Sequence, residues 1–107
     1  MPTGKRITDT RFAQGGSLKN VTLDNSFEFE TQGEKAICIL SNNILRLTVE
    51  PDKAYPILQI YTPPHRKSIA IENLSGAPDN FNNGIDLILL PPDNPKAFTT
   101  SYTITVL

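Results

Sequence analysis

Among its 107 residues the chain has one cysteine, one histidine, one methionine and no tryptophan. The lone cysteine, Cys38, excludes an intramolecular disulfide framework and any zinc cluster built on cysteines. It lies inside the apolar run 36–40, where a small side chain is ordinarily a packing residue rather than a reactive thiol. With one histidine, His65, there is no His-x-x-x-His pair, and neither a Ser-His-Asp arrangement nor a glycine-rich phosphate cradle occurs. An excess of either charge is lacking too. Ten Lys and Arg against eleven Asp and Glu leave a formal net charge of −1, so nucleic acid is not an expected partner. No stretch approaches the roughly 20 apolar residues that span a bilayer, and residues 1–11 have no apolar core of a signal peptide. The expectation is a chain with no membrane partner, residing in the cytoplasm, where an unpaired thiol persists.

What is present is enough for one modest domain. Hydrophobic residues make up 38% and charged residues 20%, and a chain of this length buries roughly 65% of the surface exposed when unfolded. Residues 1–19, with Gly4, Gly15 and Gly16 and no sustained periodicity, read as an extended arm, and 20–107 as a single folded unit. Two sequons, at Asn20-Val21-Thr22 and Asn73-Leu74-Ser75, are short enough to arise by chance. From Asn20 onward, segments rich in Ile, Leu, Val, Phe, Tyr and Thr alternate with clusters of Asn, Asp, Gly and Pro. The clearest alternation puts Leu45, Leu47 and Val49 on one face and Arg46, Thr48 and Glu50 on the other, the pattern of a half-buried strand. Similar segments at 21–30, 35–40, 57–62, 68–72, 86–90 and 98–106 bring the expected number of strands to about seven. Prolines at segment ends, as in Pro63-Pro64 and Pro91-Pro92, reinforce the breaks. The predicted fold class is all-β, an antiparallel β-sandwich.

One pair of segments brings polar chemistry together. In the strand predicted at 68–72, Ile69 and Ile71 share one face, which leaves Ser68, Ala70 and Glu72 on the other. In 57–62, Leu58 and Ile60 oppose Gln59 and Tyr61. The five-residue link 63–67 is short enough to let the two strands pair, and Gln59, Tyr61 and Glu72 would then share one surface. An aromatic ring with hydrogen-bonding groups and a carboxylate suits a polyhydroxylated ligand. A solvated outer face carrying ordinary polar residues has the same pattern.

Beyond Glu72 comes Pro78-Asp79-Asn80-Phe81-Asn82-Asn83-Gly84. Together with Ile69-Ala70-Ile71-Glu72 it resembles the C-terminal signature of the aldose 1-epimerases, or galactose mutarotases, in which an apolar strand ends in a glutamate and a Pro-Asp-x-x-Asn element follows. Leu58-Gln59-Ile60-Tyr61-Thr62 is similar to that family's Gln-x-Tyr-Thr strand, Leu23-Asp24-Asn25-Ser26-Phe27 to its Asp-x-x-Phe segment, and Pro2-Thr3-Gly4 to its Pro-Thr-Gly. Residues 90–107 fit its terminal strands. The resemblance implies an antiparallel β-supersandwich of which this chain corresponds to the final third. It implies an isomerase in which Glu72 is the general base and Asp24 holds sugar hydroxyls, beside Gln59 and Tyr61. The family's general acid is a histidine from earlier in its chain, and His65 matches no catalytic position. Where the family places Pro-Gln after its glutamate, this chain has Asn73-Leu74.

Other chemistries fit less well. Asp79, Asn80, Asn82, Asn83 and Asp86 are oxygen-rich, but a calcium loop starting at Asp79 would need a ligand where Phe81 stands, so a self-satisfied Asn/Gly turn is expected and no metal or other cofactor. His65-Arg66-Lys67 after two prolines reads as a solvated loop. Two functions follow: a partial aldose 1-epimerase that binds hexoses and lacks its acid, or a β-sandwich that binds carbohydrate without turnover. The expected partners are a monosaccharide and either a second copy, joined through an open sheet edge, or a missing N-terminal half.

Overall fold

A computed structural model describes residues 7–29 and 36–107. The Pro2-Thr3-Gly4 segment lies outside the described residues. The fold is all-β, as the alternation predicts. Among the described residues six strands form two antiparallel sheets: β1 (Asp24–Glu28), β4 (Ile57–Tyr61) and β5 (Ala70–Leu74) in the order β1-β4-β5, and β2 (Cys38–Ser41), β3 (Leu45–Pro51) and β6 (Thr100–Val106) in the order β2-β3-β6. The only helix among the described residues is a single turn, α1 (Asn80–Asn83), so none is long and apolar enough to cross a membrane.

Three sequence expectations need correction. The run 86–90 forms no strand. Asp86 takes a left-handed turn (φ 55°), and Pro91-Pro92, which have no N–H to donate, close the segment before it can enter a ladder. The strand expected at 68–72 is shifted forward to Ala70–Leu74. Glu72 therefore stands in the middle of β5 rather than at its end, and Asn73 and Leu74 belong to the strand rather than the loop. The expected Val21 start of the first strand also moves, to Asp24.

Each sheet sorts its residues by parity. In β1-β4-β5 one face carries Asn25, Phe27, Leu58, Ile60, Ile71 and Asn73; the other carries Asp24, Ser26, Glu28, Gln59, Tyr61 and Glu72, with Ala70 at one end and Ile57 and Leu74 at the other. In β2-β3-β6 one face is mainly apolar, with Leu40, Leu47 and Ile104 in one cross-strand row, Cys38, Val49 and Tyr102 in the next, and Thr100 opposite Pro51 beyond them. Few of the described residues are buried: Leu23, Val49, Pro51, Ile57, Leu58 and Thr62. The apolar faces of the two sheets are linked where Asn73 Nδ2 donates to Thr100 Oγ1 at 2.9 Å.

Loops are tied down by specific groups. Asp52 accepts from Ala54 N–H and Thr99 N–H, both at 2.8 Å, and its own N–H donates to Thr99 O at 2.9 Å. This braces the β3–β4 turn against the approach to β6, where the Tyr55 and Phe98 rings also meet at 5.4 Å. In the segment before β1, the Phe12 ring packs edge-on to Phe27 at 6.2 Å. The Arg66 guanidinium donates to Leu18 O and Val21 O.

Asn73 shares its face with Asn25 and four apolar residues, and its Oδ1 is buried with no hydrogen-bond partner among the described residues. Thr100→Val alone removes the one bond to the amide and is expected to cost about 1 kcal/mol. Asn73→Leu combined with Thr100→Val removes the unsatisfied group as well, and should unfold at the same urea concentration as the parent or higher. Urea denaturation of both variants checks this; a double variant weaker than Thr100→Val alone is the contrary result.

Candidate functional site

The polar face of β1-β4-β5 is built by the registers on either side of β4. Antiparallel pairing sets Gln59 opposite Ser26 on one side and Glu72 on the other, and Tyr61 between Asp24 and Ala70. The 57–62 and 68–72 segments thus pair as their parity and short link predict, and Gln59, Tyr61 and Glu72 share a face. Asp24, carried into consideration by the resemblance alone, lies on that same face.

Within this face the groups are ordered by hydrogen bonds. Gln59 Nε2 donates to Asp24 Oδ1 at 3.0 Å, and the Ser26 hydroxyl donates to Gln59 Oε1. The Gln59 amide is thereby held in one orientation between two strands. Tyr61 keeps 40% of its surface open, since its neighbour Ala70 is too small to cover the ring. Glu72 is exposed. A carboxylate acting as a base at the end of a strand in a concave site would be shielded from water; in mid-strand Glu72 faces solvent, and it is placed to accept hydroxyl hydrogen bonds.

Ser26 is the site residue that sequence reasoning missed. The signal for it was the two-residue spacing from Asp24, which puts both on one face of any strand.

The loop after β5 closes on itself. Asp79 (φ 61°) and Gly84 (φ 70°), both left-handed, flank α1. Asn82 Nδ2 donates to Asp79 Oδ1, Asn83 Nδ2 to Pro78 O, and Ile85 N–H to Asn83 Oδ1. Gly76 sits in close quarters: a Cβ there would meet the side-chain end of Asn80, at Nδ2, 2.0 Å away and Asp86 O at 3.2 Å, so a larger residue would displace the Asn80 amide. The polar side chains of the loop bond to one another and to its own backbone, as in an Asn/Gly turn. No cluster of three or more His, Cys, Asp or Glu able to hold a metal occurs among the described residues.

His65 lies exposed in the β4–β5 link, where its Nδ1 accepts from Lys67 N–H at 3.0 Å. Cys38 is half-buried on β2, and that burial pushes its thiol above the ordinary range, so at neutral pH it is a protonated packing group rather than a nucleophile.

Compared with protein-family models, curated proteins and solved structures, the chain matches none.

The Ser26–Gln59 bond crosses between strands within the face, and its contribution is measurable. A double-mutant cycle on Ser26→Ala and Gln59→Leu, read by urea denaturation, should give a coupling of about 1 kcal/mol. A coupling indistinguishable from zero would show that the bond does not hold the Gln59 amide in place.

Proposed function

We propose that the polar face of β1-β4-β5 binds a hexose, as one part of an aldose 1-epimerase-like site. The observation that supports this is the convergence of Asp24, Ser26, Gln59, Tyr61 and Glu72 on one face, with the Tyr61 ring open beside hydrogen-bonding groups. The C–H face of a pyranose stacks on the ring, and its hydroxyls donate to the carboxylates and accept from the amide. In such a site Glu72 is the general base. It takes the proton from the anomeric hydroxyl as C1–O1 becomes a carbonyl; the C1–O5 bond breaks and an acid protonates O5. The open aldehyde turns about C1–C2 and closes on its other face, the two proton transfers running in reverse.

The acid in this scheme comes from polypeptide beyond this chain. Without a general acid the rate falls by roughly 10²–10⁴-fold, so the chain by itself binds sugar with little or no turnover. The exposure of Glu72 favours a second reading, carbohydrate binding with no catalysis at all, in which its carboxylate only accepts hydroxyl hydrogen bonds.

Backbone amide NMR with added D-galactose or D-glucose tests both readings. Shifts should be confined to β1, β4 and β5, and Tyr61→Ala should abolish them. Anomer interconversion followed in the same samples should proceed at its uncatalysed rate. Absence of any shift at saturating hexose removes the sugar-binding proposal. A large acceleration that Glu72→Gln abolishes would instead make the isolated chain an enzyme and overturn the binding-only reading.

A further inference from the structure

The second sheet, away from the polar face, has an apolar surface that is only partly covered. Along β3 the exposure rises from buried Pro51 and Val49, through half-buried Leu47, to Leu45 at 42%. Along β6 it rises from half-buried Thr100 to Tyr102 at 62%, Ile104 at 71% and Val106 at 77%. All of these residues lie on one side of the sheet, as the register shows. Sheet β1-β4-β5 meets this side at Thr100, through Asn73; Val49 and Pro51 are covered, and the end that carries Leu45, Tyr102, Ile104 and Val106 is open.

We infer that this face is the interface of a two-fold dimer, in which a second copy of the chain lays its own β2-β3-β6 face upon it. The first argument is area. Tyr102, Ile104, Val106 and Leu45 together leave on the order of 500 Å² of largely apolar surface open. A standard interface removes roughly 800 Å² per partner, about 60% of it apolar, which is the same apolar quantity.

The second argument is the chemistry of the face. A two-fold contact brings a patch against itself, so it must not carry a net charge. Among the described strand residues no Asp, Glu, Lys or Arg stands on this side: Arg46 and Glu50 have the other parity and lie on the opposite face with Ser101, Thr103 and Thr105. The whole chain carries only −1, so two copies scarcely repel. Two twisted sheets laid face to face pack about 10 Å apart with their side chains interleaved. Ile104 and Tyr102 then become the buried centre of the contact.

Sedimentation equilibrium of the full chain reads the outcome directly. The expected result is a reversible shift from 11.8 kDa to twice that mass, with a dissociation constant in the micromolar range, around 10⁻⁶–10⁻⁵ M. Ile104→Lys should weaken association at least about 100-fold, because it would bury an unpaired ammonium. Thr103→Lys, one residue away on the opposite face, should leave the dimer intact. Circular dichroism establishes that each variant is folded, and Val106→Lys replaces Ile104→Lys if that variant is not. A chain that stays at 11.8 kDa throughout overturns the inference and leaves the face to a different polypeptide. A dimer that survives both Ile104→Lys and Val106→Lys, or is lost equally in folded Thr103→Lys, places the contact elsewhere and also overturns it.

Discussion

The polar face depends on a buried clamp between Leu23 and Thr62. Thr62 N–H donates to Leu23 O at 2.8 Å, and Leu23 N–H donates back to Thr62 Oγ1 at 2.8 Å. Both residues are buried, so breaking either bond would leave a polar backbone group without water to replace it. The pair lies in line with the β1–β4 ladder, one step beyond Asp24 opposite Tyr61. It therefore fixes which residue of β1 faces which residue of β4. A slip of one residue would turn Asp24 and Ser26 to the apolar side and Phe27 to the solvent. With β4 so held, the β4–β5 register places Glu72 opposite Gln59, and the shared face of Asp24, Ser26, Gln59, Tyr61 and Glu72 follows from one buried interaction.

The parts of this arrangement that were legible in the sequence are those set by parity alone. Gln59 and Tyr61 against Leu58 and Ile60, and Glu72 against Ile71, are local facts of a period-two chain, and a five-residue link left antiparallel pairing as the simple outcome. The β3 alternation was legible for the same reason. What covers a face is decided by distant residues and was not legible: Leu45 shares its face with Val49, yet only Val49 is buried. The run 86–90 shows the limit from the other side. Leu87, Ile88, Leu89 and Leu90 have the composition of a strand, but a strand exists only where another backbone offers a ladder, and the left-handed turn at Asp86 and the prolines at 91 and 92 remove that opportunity.

Site residues were legible in the same graded way. Tyr61, Gln59 and Glu72 could be placed together from the sequence, whereas Asp24 entered only through the resemblance to aldose 1-epimerases, because nothing local says that the strand beginning there lies beside β4. Ser26 was overlooked because a serine two residues from an aspartate is unremarkable until the Gln59 amide is seen between them. The end of β5 was misjudged by two residues. Asn73 is a poor strand former by composition, but its side chain reaches Thr100 of the other sheet, and that long-range bond favours strand geometry at a position where local preference does not.

That extension of β5 bears on what Glu72 can do. At the end of a strand a carboxylate could be enclosed by the loop that follows. In mid-strand, with Leu74 still in the ladder opposite Ile57, the loop leaves the sheet two residues later and folds upon Gly76, Asn80 and Asp86. Glu72 thus has a fixed direction and an open approach: rigid backbone beneath it, Gln59 beside it and water above it. A rigid, solvated carboxylate next to an open tyrosine ring is well suited to gripping hydroxyl groups. A base that works by being withheld from water requires cover that the described residues do not supply. Catalysis at this face consequently needs a second polypeptide segment twice over, once to bring the acid and once to exclude the solvent.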